Sequence, residues 1–261
     1  MSTWTTHILE RVRAKQTTPE DFSKLGASSV GDPILDYNGF MYALTGAHAA
    51  HASYPLATNF SPESKVGRAA NTALHQIATE LCCDLLNEAP PGAVTEFGVF
   101  AGRWLSDMLA HMEATGRQRE IYGFDSFEGL PPPDAENDSE GWREGEYAAR
   151  LEDVERALSA ATRPHLHLVK GWFSDTLPQT DVRSIAFAKI DCDLYEPAKQ
   201  CLAYLARRMA DGGVLMFDDW THVANTGETK AFMEWVPTVP HYRFEMIGFI
   251  GYRLFLRVWR R

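Results

Sequence analysis

Two pairs of aspartates follow two apolar segments of the chain. Asp191 and Asp193 close the segment AFAKIDCD, and Asp218 and Asp219 follow the apolar run in GVLMFDDW. Alternate residues of a strand share a face, so we expect Asp191 and Asp193 to point the same way. Carboxylates that converge without a cation repel one another, and a hard divalent ion removes that repulsion. The two pairs therefore predict a metal site, most simply for Mg²⁺.

A metal held by these aspartates would activate a hydroxyl group. Coordination lowers the pKa of bound water from about 15.7 to about 7, and we expect an alcohol to respond similarly. A neighbouring carboxylate can then remove the proton. His222, three residues after Asp219, is a candidate for contacting the molecule that carries the hydroxyl.

An earlier strand end carries features of a ligand-binding loop. The segment TEFGVFAGRW spaces Glu96, Gly98 and Gly102 as E-x-G-x-x-x-G. Glycines let a backbone approach a ligand closely, but this spacing is not the G-x-G-x-x-G of a pyrophosphate-binding loop. Glu96 suits a positively charged group such as an amine.

Two further strand ends indicate a nucleoside. Asp125 follows the second predicted strand, where an acid accepts ribose hydroxyls in dinucleotide-binding folds. Gly171, Trp172 and Phe173 follow the third strand, and the two aromatic rings offer flat walls for an adenine. A nucleoside with a charged amino acid and no phosphate describes S-adenosylmethionine, which we expect as the cofactor.

From Ala93 onward, strand and helix patterns alternate, which is typical of a parallel sheet covered on both faces. Ligands of such sheets bind outside the carboxyl ends of the strands. Residues 197–213 predict a helix that ends at its glycines, and residues 242–259 predict an antiparallel hairpin. We expect an α/β fold with a doubly wound, mostly parallel, seven-stranded Rossmann-like sheet. An N-terminal helical extension at 1–63 would precede a catalytic domain at 64–261.

Composition and charge narrow the function classes. The formal net charge of −10 argues against a nucleic-acid partner, because such binders usually present a basic face. The sequence shows no signal-peptide or membrane-spanning pattern, and its four cysteines form no C-x-x-C pair. We therefore expect a cytoplasmic protein with no membrane partner. The weakly patterned N-terminal region suggests a homo-oligomer.

The loop after the second strand has two interpretations. Residues 131–147, PPPDAENDSEGWREGEY, are polar, acidic and rich in proline. A long loop above the pocket is often a lid, and a solvated insertion is the alternative. The D-x-D spacing also occurs in phosphatase-type hydrolases, but there it follows the first strand, whereas here it follows the fourth.

Five segments resemble the macrocin O-methyltransferase family of antibiotic biosynthesis. They occur in order within residues 92–236 and read EFGVFAGRW, YGFDSFEGLP, VKGWFSDTLP, KIDCDLY and GGVLMFDDW. The resemblance implies a class I methyltransferase fold, S-adenosylmethionine, Mg²⁺ and a glycosylated small-molecule substrate. It implies methylation of a hydroxyl group, on a deoxysugar in the first instance. A catechol-type O-methyltransferase and a non-catalytic cofactor-binding module are the alternatives.

The resemblance also implies roles for individual residues. Asp191, Asp218 and Asp219 would be metal ligands and Asp193 the general base, with Asp191 as its rival. The resemblance places these residues on the cofactor site: Glu96, Gly98, Asp125, Ser126, Trp172 and Phe173. Neighbouring strand-end residues are added to that site: Phe97, Gly102, Arg103, Gly171 and Asp191. Family members often have a small residue where this chain has Arg103, whose guanidinium could bind the methionine carboxylate.

Overall fold

The computed structural model describes residues 65–220, 226–250 and 252–261. The helices are α1 (Lys65–Glu88), α2 (Arg103–Thr115), α3 (Leu151–Ala157), α4 (Phe173–Thr176), α5 (Tyr195–Leu205) and α6 (Gly227–Trp235). The strands are β1 (Ala93–Phe97), β2 (Ile121–Asp125), β3 (Leu166–Lys170), β4 (Ile185–Ile190), β5 (Met209–Phe217), β6 (Tyr242–Ile250) and β7 (Arg253–Arg260). The predicted extension at 1–63 and His222 lie outside the described residues. None of the helices described is long and apolar enough to cross a bilayer.

The strands of the described residues form one seven-stranded sheet in the order β3-β2-β1-β4-β5-β7-β6. Strands β1 to β5 pair in parallel, and β7 pairs antiparallel with both β5 and β6. The strand order reverses at β1, which lies between β2 and β4. Ligands bind at such a switch point in open α/β sheets. The doubly wound fold with its antiparallel C-terminal hairpin is therefore confirmed.

Both faces of the sheet are buried. Helices α5 and α6 pack on one face, and α1 and α2 pack on the other. Strand β4 shows the alternation, because Phe187 belongs to the α1 and α2 side whereas Ala188 and Ile190 belong to the α5 and α6 side. A strand that is buried on both faces carries a continuous apolar run, which explains why the segment before Asp191 is so apolar.

The helix predicted over residues 197–213 is wrong at its C-terminal end. Helix α5 ends at Leu205 and β5 begins at Met209, so the letters MADGG belong to the strand. Gly212 has a φ of 79°, and the pairing of β4 with β5 shifts register at this end of the two strands. Glycine adopts a positive φ with little steric cost, so it serves an irregular strand here as readily as a helix end.

Candidate active site

A cavity of about 540 Å³ lies at the carboxyl ends of the strands. Strand ends from both sides of the switch point contribute to its wall, together with the loop that follows β2. The predicted site residues on this wall are Gly98, Asp125, Ser126, Gly171, Trp172, Phe173, Asp191, Asp193, Asp218 and Asp219. Residues from Gly98 to Asp219 are thus brought around one cavity, as the strand-end rule predicts.

Four other predicted cofactor residues are not on the cavity wall. Phe97 is fully buried and its ring stacks on Phe124 at 5.2 Å, so its side chain belongs to the core, contrary to the prediction. Gly102 is the N-cap of α2 and faces α3, so it serves helix packing. Arg103 is exposed in the first turn of α2. Glu96 is buried beneath the wall, with 1% of its surface exposed.

The Asp125 carboxylate is held by backbone groups of two loops. Its Oδ2 accepts the N–H groups of Val99 at 2.7 Å and Phe100 at 2.8 Å, and its Oδ1 accepts that of Phe127 at 2.6 Å. Hydrogen bonds to an ionised acceptor are strong, so they fix the carboxylate at the cavity edge. Oδ1 accepts a single N–H group and therefore keeps acceptor capacity for a further donor, such as a ribose hydroxyl.

Gly98 allows the ends of β1 and β4 to approach each other. It has a φ of 93°, and a Cβ at this position would lie 1.7 Å from the carbonyl oxygen of Asp191. Any other residue would therefore push the two strand ends apart. The glycine is thus required for the contact between the predicted cofactor loop and the acidic loop.

A buried lysine lies among the acidic residues. The Nζ atom of Lys189 is 3.0 Å from Glu96 Oε1, 2.5 Å from Asp191 Oδ2 and 3.7 Å from Asp218 Oδ1. Burial opposes its charge, but these carboxylates outweigh burial and raise the pKa of Lys189 well above its ordinary value. From the sequence, a metal was the single predicted partner of Asp191. The available signal was a lone lysine within an otherwise apolar strand.

Asp218 has a second cationic partner. Arg253 of β7 donates from Nε to Oδ1 at 2.9 Å and from Nη2 to Oδ2 at 3.1 Å. Burial favours the neutral carboxyl, but Lys189 and Arg253 outweigh it and hold the pKa of Asp218 below its ordinary value. Arg253 was missed because it lies 35 residues away on the C-terminal hairpin.

Three carboxylates are arranged so that they could share one ion. Asp191, Asp218 and Asp219 each place an oxygen within 4.8 Å of the others. Hard carboxylate oxygens are the ligands that Mg²⁺ prefers. The residues present therefore fit the predicted dication, although Lys189 and Arg253 already balance part of their charge.

The acidic residues still outnumber the basic ones in this cluster. Its members are Glu96, Asp191, Asp193, Asp218, Asp219 and Glu228 on the acidic side and Lys189 and Arg253 on the basic side. Burial, followed by the charge of Asp191, raises the pKa of Asp193 to about 7. Burial, followed by Asp193, raises the pKa of Asp219. Both shifts are what an uncompensated cluster of carboxylates produces, and a dication would reverse them.

The loop from Asp191 to Asp193 is a turn, not the end of a strand. Strand β4 ends at Ile190, and Asp193 has a φ of 62°. The carboxylates therefore converge because the chain turns after β4. The prediction that they share a face because they alternate along a strand is wrong. A non-glycine residue in this backbone region costs about 1–3 kcal/mol and is frequent at functional sites.

One buried carboxylate ties the two acidic loops together. Glu228, in the first turn of α6, has no exposed surface. Its Oε1 accepts the N–H groups of Cys192 at 2.9 Å and Asp193 at 3.2 Å, and its Oε2 accepts that of Asp219 at 3.2 Å. Glu228 thus positions the backbones that carry the predicted base and one predicted metal ligand. Sequence reasoning missed it, because an acid in the first turn of a helix is common.

We expect Glu228→Gln to weaken Mn²⁺ binding by about 10- to 100-fold, the usual effect of changing a residue that orients metal ligands without binding the ion itself. The amide NH₂ of glutamine is a donor and cannot accept a backbone N–H group. One of the two acidic loops therefore loses its hydrogen bond to residue 228. Titration followed by electron paramagnetic resonance measures the Mn²⁺ affinity. Glu245→Gln is the matched control, because Glu245 is also buried but bonds Trp259 on the hairpin. Unchanged Mn²⁺ affinity in the Glu228 variant would contradict the positioning role.

The loop over the cavity is fastened to two helices. Asp138 Oδ1 accepts the Tyr195 N–H at 2.7 Å, and the Asn137 carbonyl accepts the Gly227 N–H at 2.8 Å. Lys230 Nζ also donates to Asn137 Oδ1 at 2.5 Å. The loop contributes Pro131, Pro132, Trp142 and Tyr147 to the wall. This placement favours a cover over the cavity, the first of the two interpretations, over a solvated insertion.

The curated relatives carry the names of O-methyltransferases. One, from Streptomyces olivaceus, is the 8-demethyl-8-(2,3-dimethoxy-alpha-L-rhamnosyl)-tetracenomycin-C 4'-O-methyltransferase, 32% identical over 146 residues that cover 52% of this chain and 56% of that protein. Another, the mycinamicin III 3''-O-methyltransferase of Micromonospora griseorubida, is 28% identical, covering 52% of this chain and 58% of that protein. The chain thus spans somewhat more than half the length of these relatives.

Solved structures and a family model match a larger part of the chain. CalS11, a calicheamicin methyltransferase, superposes with a TM-score of 0.57 at 27% identity over 77% of this chain and 88% of that protein. The O-methyltransferase NovP superposes with a TM-score of 0.57 at 24% identity over 72% of this chain and 79% of that protein, which shows a shared fold. The Macrocin-O-methyltransferase (TylF) model matches residues 61–235. That match extends over well more than half of the 261 residues, and the chain belongs to the macrocin O-methyltransferase family.

Proposed function

We propose that the chain is an S-adenosylmethionine-dependent O-methyltransferase that methylates a sugar hydroxyl of a glycosylated natural product in antibiotic biosynthesis. One observation carries the proposal. A single cavity joins a carboxylate suited to ribose, Asp125, to the acidic cluster around Asp193. The relatives from Streptomyces and Micromonospora carry names of tetracenomycin and mycinamicin O-methyltransferases, which supports the same substrate class here.

The cofactor supplies an electrophilic methyl group on sulfur. Asp125 would bind the ribose, and Trp172, with 37% of its surface exposed at the cavity, would cover the adenine. Glu96 Oε2 is buried and has no hydrogen-bond partner among the described residues. A buried acceptor without a donor costs free energy, so the ammonium group of the methionine part is a fitting partner. Arg103 would then bind the carboxylate of that part.

The proposal includes a dication, most simply Mg²⁺, held by Asp191, Asp218 and Asp219. When bound, it lowers the pKa of an acceptor hydroxyl. Asp193 then removes the hydroxyl proton, and its pKa of about 7 in the metal-free protein suits a base at neutral pH. The oxygen forms a bond to the methyl carbon as the bond from carbon to sulfur breaks. The proton stays on Asp193 until water removes it.

The proposal is tested with methyl-labelled S-adenosylmethionine and a panel of glycosylated antibiotics, including rhamnosyl-tetracenomycin. We expect one labelled methyl group on a sugar oxygen, located by mass spectrometry. EDTA should lower the rate by more than about 100-fold and Mg²⁺ should restore it, because a catalytic metal contributes several kcal/mol. A full rate in EDTA would contradict the proposed role of the metal but leave the proposed methyl transfer in place. Binding of S-adenosylhomocysteine without transfer to any glycoside would favour the non-catalytic module.

Three further expectations stay predictions. They are the division of the chain at residue 63, the homo-oligomer and the cytoplasmic location. The first concerns residues outside the described ranges, and the second is measured by light scattering coupled to size exclusion.

A further inference from the structure

The loop over the cavity contains one buried side chain. Residues 131–147 are all described, and Asp138 alone among them is buried, with 9% of its surface exposed. Both of its carboxylate oxygens accept backbone N–H groups: Oδ1 accepts that of Tyr195 at 2.7 Å, and Oδ2 accepts that of Asp134 at 2.8 Å. Burying a carboxylate costs free energy unless it is hydrogen-bonded. Asp138 is therefore an anchor of the loop and not a solvated surface acid.

This anchor is bonded to the first residue of α5. The first N–H groups of a helix have no partner within the helix, and the N-cap residue of α5, Leu194, makes no side-chain hydrogen bond to them. Asp138 supplies an acceptor from 57 residues earlier in the chain. A carboxylate is favoured at this end of a helix by the helix dipole. The path by which the chain enters α5 therefore depends on the loop over the cavity.

The proposed base lies directly before this hydrogen bond. Asp193 precedes Tyr195 by two residues, and its φ of 62° lies in the left-handed region. A residue other than glycine keeps such a conformation only where the surrounding contacts hold it. Asp193 also lines the cavity, so a change in the backbone of this turn moves a carboxylate that faces the substrate.

The loop over the cavity is also bonded to the helix that packs on this turn. The Asn137 carbonyl accepts the Gly227 N–H at 2.8 Å. Gly227 packs on the backbone of Asp193, since a Cβ at residue 227 would lie 2.5 Å from the Asp193 carbonyl oxygen. The next residue, Glu228, accepts the Asp193 N–H at 3.2 Å. Asn137 and Asp138 thus bind the two segments between which Asp193 is held.

We propose that Asp138 is a positioning residue for Asp193: by accepting the Tyr195 N–H, it holds the turn over residues 191–194 so that the Asp193 carboxylate faces the acceptor hydroxyl. The inference rests on the proposed function and adds to it a residue from a different part of the chain. The loop that covers the cavity thereby also sets the orientation of the base.

Two substitutions separate the hydrogen bond of Asp138 from its charge. Asp138→Ala removes both, whereas Asp138→Asn removes the charge and keeps an acceptor oxygen for the Tyr195 N–H. Hydrogen–deuterium exchange with mass spectrometry measures the protection of the amides of residues 191–195 in the full chain, with EDTA and saturating S-adenosylhomocysteine. We expect Asp138→Ala to lose protection at Tyr195 and Asp193, and Asp138→Asn to keep it. This measurement needs neither a metal nor an acceptor.

The chemical step is measured with methyl-labelled S-adenosylmethionine, Mg²⁺ and the glycoside of the panel above that accepts the most label. We expect Asp138→Ala to lower kcat by about 10- to 100-fold, because a displacement of about 1 Å can cost about 10²-fold. Asp138→Asn should react at nearly the rate of the wild type. The affinity for S-adenosylhomocysteine should not change, because Asp125 is held by Val99, Phe100 and Phe127 and not by Asp138.

A double substitution shows whether Asp138 acts through Asp193. In the Asp193→Asn background no base remains to be oriented, so Asp138→Ala should cost little more there. Glu136→Ala is the matched control, because Glu136 is an exposed acid of the same loop outside the cavity wall. It should keep both the amide protection and the rate of the wild type.

Four results would overturn the inference while the wild type still transfers methyl groups. They are unchanged protection at Tyr195 in Asp138→Ala, an unchanged kcat in that variant, an equal loss of kcat in Asp138→Asn with its protection kept, and the full loss repeated in the Asp193→Asn background. The third would assign the effect to charge, and the fourth to a role independent of the base. No transfer by the wild type to any glycoside would instead overturn the proposed function, and the inference with it.

Discussion

Asp193→Asn is expected to lower kcat by about 10²- to 10⁴-fold, the usual contribution of a general base, without changing the affinity for S-adenosylhomocysteine. Asn keeps the shape of the side chain but cannot take a proton. The carboxylate of Asp193 lines the cavity with the three predicted metal ligands, so its removal leaves the cofactor contacts intact. The loss should therefore fall on the chemical step alone.

The pH dependence of the reaction gives a second readout of the same group. A carboxylate base works only when it is deprotonated, so kcat must fall as the pH falls through its pKa. Burial and the charge of Asp191 raise the pKa of Asp193 to about 7 in the metal-free protein, and a bound dication lowers it. We therefore expect the acidic limb of the profile at or below pH 7 in the wild type. The residual activity of Asp193→Asn should lack this limb.

Single-turnover rates with labelled cofactor measure this effect directly. Asp175→Asn is the matched control, since Asp175 is an exposed acid outside the cavity wall, and it should react like the wild type. An unchanged rate and an unchanged acidic limb in Asp193→Asn would move the base role to Asp191, the rival named from the sequence. That outcome would leave the acceptor site where it is.

The parts of the fold that sequence reasoning predicted are those with a local signal. Strand β4 is apolar except for Lys189 and is followed by an acid, so both the strand and its polar end are visible in neighbouring letters. The carboxyl ends of parallel strands meet at one edge, and this rule alone predicts that Asp125 and Asp218 line the same cavity. The end of α5 at Leu205 was missed because Gly212 suits a helix end and an irregular strand equally well.

The parts of the site that were missed depend on contacts between distant segments. Glu228 bonds the backbone of Cys192 across 36 residues, and Lys189 bonds Glu96 across 93. Neither spacing corresponds to a helical or strand period, so no sequence pattern indicates these contacts. Charge balance was the one general constraint available, because several buried acids require a partner. The sequence reasoning considered a metal alone as the balancing charge. In the fold, Lys189 and Arg253 supply part of that charge.

Lys189→Met is expected to lower the free energy of unfolding by about 3–5 kcal/mol, the usual cost of removing one partner from a buried ion pair. Lys189 and Glu96 are both nearly fully buried, and the remaining Asp191 contact is also lost. Met fills a similar volume, so the loss measures charge and not packing. Urea unfolding in EDTA measures it. Lys170→Met, at an exposed strand end, is the control and should cost little.

The cost of Lys189→Met should rise with pH. Burial already raises the pKa of Glu96 to about 8, against the opposing charge of Lys189, which is its largest compensation. When the pKa of a carboxyl group is higher in the folded than in the unfolded state, the free energy of unfolding falls as the pH rises between the two pKa values. Removal of Lys189 raises the folded pKa of Glu96 further, so the gap to the wild type should widen as the pH rises above about 8, where Glu96 ionises in the wild type but not yet in the variant.

Added Mg²⁺ then distinguishes the ion pairs that the acidic cluster makes with Lys189 from its predicted binding of a metal ion. If Asp191, Asp218 and Asp219 bind a dication, Mg²⁺ stabilises the folded state by mass action. The ion can supply next to Asp191 the positive charge that the variant has lost with Lys189. Mg²⁺ should therefore raise the free energy of unfolding of Lys189→Met more than that of the wild type. Glu96 has no part in the predicted metal set, so its raised pKa should keep part of the pH dependence even with the ion bound. A variant as stable as the wild type at pH 8 in EDTA would show that the acids do not depend on Lys189 at all.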